Sequence, residues 1–422
     1  MQDIPALEMP APYSVLDEFR IVNENDPDIN WCRIINNCGH KRDASKMGLN
    51  KKGQLAIVRL LLAKEADTYY KSIEDWFDED FLQSTFYTLW KTMFAFEQWQ
   101  SLTELKRYMH RFLQYLPGFS DLSCLRFSRY NQYDSFVVPL VRWLTDQGVN
   151  FQYESLVYDV DLEITAHRKI ARAVLYRDAQ GGNHRIEMTP KDLVFVTNGS
   201  LTECTGYGDM DHAAPYHKEM EAGWQLWRNL VKRSPVFGRP DVFCADPDKT
   251  VWQSISFNFI GRDHPFLKKI KELTGNDPLS GRTVTGGIIT AEDSSWCLSL
   301  TMNRQPQFHG QPEDWGWLGP TDCTPSRRVT VCTSRCWSAP ARNYSRNTAT
   351  TLACSTSSRR SRLAPRCALP RCPTSQPFSC RAARAIGPRS FPMAASTSPA
   401  LGSLLKPLTT ASSLRRARPA PQ

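Results

Sequence analysis

Few side chains in this sequence stand in a pattern that does chemistry unaided. The eight histidines show no HExxH spacing, so no zinc-hydrolase centre is expected. Gly206-Tyr207-Gly208 imitates the start of a GxGxxG phosphate loop, but the sixth position is Asp211 and no strand runs directly into it, so a turn is expected. Gly199-Ser200 does not continue into a GxSxG elbow, which argues against an α/β-hydrolase nucleophile. The run Thr197-Asn198-Gly199-Ser200 follows a strand-like segment. It suits close backbone approach to a ligand at the carboxyl edge of an open sheet, although a plain turn has the same composition. Tyr108 sits among Leu105, Met109 and Phe112, and on residue types alone it is a core tyrosine whose hydroxyl is tied to a neighbour.

The elements that carry these residues fall into two texts. Residues 1–148 read as mainly helical. Gln54–Lys64 and Asp80–Phe96 keep apolar residues three and four apart, and Ser101–Leu116 puts Leu102, Leu105, Tyr108, Met109, Phe112, Leu113 and Leu116 on one broad face before Pro117-Gly118. A helix over Ser135–Gln147 ends at Gly148. Strand-like runs follow at Asn150–Tyr153, Leu156–Ile164, Ile170–Tyr176 and Asp192–Val196, with further candidates at Thr283–Ile289 and Trp296–Met302. No internal repeat is visible.

Charge divides the chain again. Cys323 to Gln422 contains no Asp or Glu, sixteen Arg, one Lys and seven of the thirteen Cys. An ordinary stretch of that length holds about 12 carboxylates, so this tail is not the text of a globular domain. It reads either as a disordered basic tail or as a GC-rich gene translated out of frame. Without it, residues 1–322 carry 35 basic and 43 acidic residues, a net of −8, so the overall +9 is no argument for a nucleic-acid partner. Six scattered Cys, no CxxC spacing and no apolar leader describe a reduced, cytoplasmic protein.

Longer blocks carry more information. Trp90-Lys91-Thr92-Met93-Phe94-Ala95-Phe96-Glu97, Leu105 to Phe112, and Phe127 to Leu144 with Arg129-Tyr130-Asn131-Gln132-Tyr133-Asp134-Ser135 resemble the oleate hydratase family, also called myosin-cross-reactive antigens. The similarity extends to Ser14–Phe19, Asp192–Ser200, Thr285–Thr290 and Asn303-Arg304-Gln305, covering roughly 10–313 in order. The resemblance implies an α/β, Rossmann-like flavoprotein fold that binds FAD, with a largely helical region around a fatty acyl chain. It implies non-redox addition of water to the cis double bond of oleate or linoleate to give a 10-hydroxy fatty acid. Tyr108 then matches the tyrosine that protonates the alkene. Arg129, Tyr130, Asn131 and Gln132 line the lipid entrance, cap the flavin, or cement the junction between helices and sheet. Thr197, Asn198, Gly199 and Ser200 lie beside the flavin. A homodimer and peripheral membrane contact also belong to this expectation.

Two departures qualify it. The family's GSGLASLAAA-like dinucleotide loop and its RGGREME-like segment, which bears the water-activating glutamate, do not occur in this sequence, and the similarity fades from about Trp315. Leu405-Lys406-Pro407-Leu408, regrouped one base out of frame, yields Val-Glu-Thr-Ala, close to the family's flavin-contacting FxET motif. The expected architecture is thus a helical acyl-chain region over 1–148, the sheet-containing part of an FAD domain over 149–314, and an Arg/Ser/Pro-rich, disordered tail over 315–422. Such a truncated and frameshifted member is expected to turn over no oleate, and a lipid-binding remnant is the alternative. Limited trypsin digestion should cut the tail away first and leave a fragment ending near residue 320, whereas survival of Arg359–Arg389 would show that the tail folds.

Overall fold

The computed structural model describes residues 1–322 apart from 37–38, 198–205, 209–211, 213, 216–221, 245–252, 255, 283–287 and 295–297. Asn198, Gly199, Ser200 and the tail 323–422 lie outside the described residues.

Helices begin where the sequence supplies an acceptor for free N–H groups. The Ser14 hydroxyl accepts from Asp17 N, and the Asp17 carboxylate accepts from Ser14 N in return, a capping box that opens α1 (Val15–Asn25). Asn50 caps α2 (Lys51–Leu62), Asp78 caps the single turn α3 (Glu79–Leu82), Ser84 caps α4 (Thr85–Phe94) and Ser101 caps α5 (Leu102–Phe112). After α5 the chain tightens into a 3-10 turn over Leu113–Gly118, so the helix expected to run to Leu116 changes pitch at Phe112. A π-helical turn at Tyr133–Val137 leads into α6 (Val138–Asp146). Beyond it come α7 (Gly223–Arg233), the short α8 (Asp241–Cys244) and α9 (Pro265–Thr274), which ends at Gly275 with φ 77°.

The described strands form two sheets. β3 (Leu156–Ile164), β4 (Lys169–Arg177) and β5 (Asn183–Glu187) form an antiparallel meander. Its inner face carries Val160 against Leu226 and Leu230 of α7. The larger sheet runs β2 (His40–Arg42), β1 (Ile34–Asn36), β8 (Ile288–Ala291), β9 (Ser299–Thr301), β10 (Trp315–Asp322), β6 (Gln253–Ser254), and β7 (Phe257–Ile260) also pairs with β10. β1 and β8 are parallel, and every other described pairing is antiparallel. The chain is therefore α/β, with the parallel order expected of a dinucleotide fold confined, among the described strands, to one pair.

Alternation along that pair decides the layering. Ile34 and Ile288 join the aromatic core of the helices, with Trp90, Phe86, Phe94, Phe96, Leu105 and Met109. Ile35, Ile289 and Ala291 point the other way, into a second core with Leu267, Ile270 and Leu273 of α9. The hydroxyls of Thr92 and Thr290, 2.8 Å apart, join α4 to β8 within the first interface. The helical region, the sheet and α9 are thus three layers.

The structure corrects several expectations. Asn150–Tyr153 and Asp192–Val196 form no strand: neither has a neighbouring strand to pair with, and Leu193 and Phe195 remain exposed. β propensity without a ladder does not hold an extended segment. Residues 315–322, grouped with the tail on similarity, form β10, which bonds to β9, β6 and β7. Strands β1 and β2 lie within the segment read as helical.

Trp90 is fully buried, with the rings of Phe86, Phe94, Phe96 and Phe119 around it at centroid distances of 4.7 to 6.4 Å. Trp90→Ala should cost about 3–5 kcal/mol in urea unfolding, the usual cost of emptying so large a site.

Candidate functional site

α5 positions Tyr108 and is itself fixed to its neighbours through polar groups. The Lys106 ammonium donates to Leu60 O at 3.1 Å and Leu61 O at 2.7 Å, covering the terminal carbonyls of α2 with a cation. Thr68 and Thr103 share a hydrogen bond at 2.9 Å, and the Arg107 guanidinium pairs with Glu65. These contacts prevent α5 from rotating, and its apolar stripe faces α4.

Tyr108 is half-buried on that stripe. Its ring meets Phe94 and Phe96 edge-on at 5.8 and 5.1 Å and leans against Phe112 at 6.1 Å. Burial pushes the phenol up to about 12, with Glu104 adding to the shift and Arg111 opposing it. Three phenylalanine rings thus flank the phenol ring with apolar surface.

One turn earlier lies Glu104. Its side chain is 3% exposed, and Oε2 makes no hydrogen bond. Burial pushes this carboxyl up to about 8, against the pull of Arg107. The Ser101 hydroxyl accepts from Glu104 N, so capping of α5 uses only the backbone of Glu104.

The second group of expected residues has different neighbours. Tyr130 is buried; its hydroxyl donates to the Glu8 carboxylate, and its N–H donates to Ser135 Oγ at 3.0 Å. Arg129 lies over the Tyr130 ring at 5.2 Å and reaches Glu8 at 3.5 Å, while His309 pairs with the same carboxylate at 2.9 Å. Asn131 donates through Nδ2 to Asp134 at 2.6 Å and to Gln307 O at 3.1 Å, its Oδ1 accepts from Asp134 N at 3.1 Å, and its own N–H donates to Gln307 O at 2.8 Å. Gln132 is exposed. Of the roles open to this run, the observed bonds of Tyr130 and Asn131 are those of cement between the start of α6, the N-terminal segment and the loop before β10. Thr197 is exposed in an irregular segment.

A further buried polar group lies at the base of β1. Asp28, Asn30 and Arg33 are each 1% exposed. Arg33 donates to Ile288 O at 3.0 Å and Phe119 O at 2.6 Å, yet its Nη2, both Asp28 oxygens and Asn30 Nδ2 have no hydrogen-bond partner. Burial dominates the shift of both charges, raising Asp28 to about 8 and lowering Arg33 to about 10.

The parallel pair is where a dinucleotide would be held, and the described residues do not fit one. β1 turns through Gly39 into β2, and β8 turns through Asp293 towards β9. Neither strand delivers the helix N-terminus that a pyrophosphate requires. No helix among the described residues is long and apolar enough to cross a membrane, and no cluster of His, Cys, Asp and Glu there could hold a metal.

Residues 1–318 of the chain match a family model described as the MCRA family. The chain belongs to this family, the oleate hydratase family. It is 38% identical over 314 residues to an oleate hydratase of Streptococcus pyogenes serotype M49 (strain NZ131), an overlap of 74% of this chain and 52% of that protein. It is 29% identical over 291 residues to a linoleate hydratase of Lactiplantibacillus plantarum, covering 65% of this chain and 51% of the relative. The chain spans about half the length of the curated relatives it matches.

Asp28 provides a test of the buried polar group. A carboxyl whose folded pKa lies above its unfolded value stabilises the fold fully below the unfolded value, near 4, and loses that contribution as pH rises through about 8. Unfolding free energy should therefore decline from pH 5 to pH 9, and Asp28→Asn should flatten that decline. An unchanged slope would place the ionisation elsewhere.

Proposed function

We propose that this chain carries the acid half of a fatty acid hydratase site, with Tyr108 as the proton donor to the cis double bond of an unsaturated fatty acid such as oleate or linoleate. The observation that carries the reading is the Tyr108 ring among Phe94, Phe96 and Phe112, on a helix locked by Lys106 and Arg107. The aromatic wall suits an acyl chain. In the reaction the alkene π electrons take the phenolic proton, forming a C–H bond at one carbon and leaving a phenolate and a carbocation. Water attacks the second carbon, and the proton that water loses returns the phenolate to phenol. The sum is addition of water, with nothing oxidised or reduced. A dry wall matters because bulk water would solvate the hydroxyl and quench the cation without control of position. FAD belongs to this proposal through the family alone, where it supports a non-redox site. Thr197, Asn198, Gly199 and Ser200 are its proposed neighbours in the chain.

A second reading is supported by the turns after β1 and β8, which offer no phosphate cradle: the helical region binds acyl chains without turnover. On either reading the isolated chain should bind FAD substoichiometrically and hydrate little or no oleate, and a purified protein with one flavin per chain would overturn that expectation.

A chimera separates the two readings. Residues 1–318 replace the matching segment of the streptococcal relative, and 10-hydroxystearate formation is followed by mass spectrometry. The chimera should hydrate oleate, and Tyr108→Phe should lower the rate about 10²-fold or more while leaving acyl-chain binding in place, because only a hydroxyl is removed. An active chimera indifferent to Tyr108→Phe would return Tyr108 to the core. A chimera that binds oleate and hydrates none would favour the second reading.

A further inference from the structure

We propose that Glu104 is a positioning residue for Tyr108, a buried carboxyl whose protonation state governs when the phenol can release its proton. The inference rests on the reading of Tyr108 as the donor and adds to it a control that the chain itself supplies.

Three observations carry it. Glu104 and Tyr108 are four residues apart on α5, the spacing at which side chains lie one above another on a helix face, with Cβ atoms about 5–6 Å apart. Glu104 is buried and its Oε2 has no hydrogen bond, so charge on that oxygen is neither hydrated nor paired by a donor. The cations beside it in sequence are engaged elsewhere: Lys106 on the α2 carbonyls, and Arg107 on Glu65.

The electrostatic consequence is directional. Transfer of the Tyr108 proton breaks the O–H bond and leaves negative charge on the phenolic oxygen. A neutral Glu104 one turn away permits that charge, and an ionised Glu104 opposes it. The other charged or titratable groups around the pair are Glu65 and Tyr69 beside Arg107, Arg107 and Arg111 on α5 itself, and the Lys91–Glu97 ion pair next to Phe96. Of these, Arg111 acts on Tyr108 in the opposite sense to Glu104. With the Glu104 carboxyl at about 8, its neutral form prevails at neutral pH, and the donor weakens as the medium becomes alkaline.

The test uses the full chain labelled with carbon-13 at tyrosine Cζ, the Tyr108 resonance being the one lost in Tyr108→Phe. Between pH 6 and 10 this resonance should move through an inflection near pH 8 before the phenol itself titrates. The inflection should vanish in Glu104→Gln and return, displaced, in Glu104→Asp. In the chimera, oleate hydration should fall about tenfold per pH unit above the same midpoint, and Glu104→Gln should remove that limb. A flat Tyr108 resonance in the unmodified chain, or an inflection that persists in Glu104→Gln, would overturn the proposal. The unmodified chain alone decides the first of these, so poor folding of a variant leaves the test intact. An inflection that behaves as expected, in a chimera indifferent to Tyr108→Phe, would establish the coupling and overturn only the donor reading.

Discussion

A single guanidinium holds together parts of the chain that are far apart in sequence. Arg33 is buried at the foot of β1 and gives one N–H to Ile288 O of β8 and another to Phe119 O after the helical turns. The sheet edge, the parallel strand pair and the far end of the aromatic layer therefore share one cation. Burying it is costly, and the two carbonyls offset part of that cost. The order of the layers follows from this anchor: with β1 fixed to β8, Ile34 and Ile288 can face only the aromatic helices, and Ile35 and Ile289 only α9.

The aromatic layer matters to the chemistry through what it denies the tyrosine. A phenol in water is a weak acid with many competitors for its proton. Tyr108 has three ring neighbours and a helix whose rotation is blocked by an ammonium on the α2 carbonyls and a guanidinium on Glu65. On the proposed reading, packing supplies direction and an apolar wall, and one buried carboxyl tunes the acid strength. The MCRA family membership of residues 1–318 and the geometry of α5 address different questions, the first about descent and the second about which atoms face one another.

Sequence periodicity made α2, α5, β3 and β4 legible because each is long enough for its repeat to show, and their observed limits fall within a few residues of the expected ones. β1 and β2 are three residues each, and β1 is apolar on both faces because both are covered, so neither pattern of alternation was available. β5 is exposed along its length, which erased its signal too. Tyr108 was singled out only through the longer block around it, since residue types alone read it as a core tyrosine. The sequence places Glu104 one helical turn from Tyr108, but the burial of its side chain and the unbonded Oε2 come from packing that no local pattern records. The charges at Asp28 and Arg33 were likewise hidden, since burial of an ion is decided by segments hundreds of positions away.

That last separation has a consequence for synthesis. β1 pairs with β8, roughly 250 residues later, and a ribosome adding about 5–20 residues each second leaves the first strand waiting on the order of 10 to 50 seconds for its partner. Throughout that interval β1 has only β2 to pair with, and the guanidinium of Arg33 has no β8 carbonyl to bind. The nascent chain must carry an apolar strand with one flank unpaired through most of its own translation, which makes β1 the natural place for a chaperone to hold.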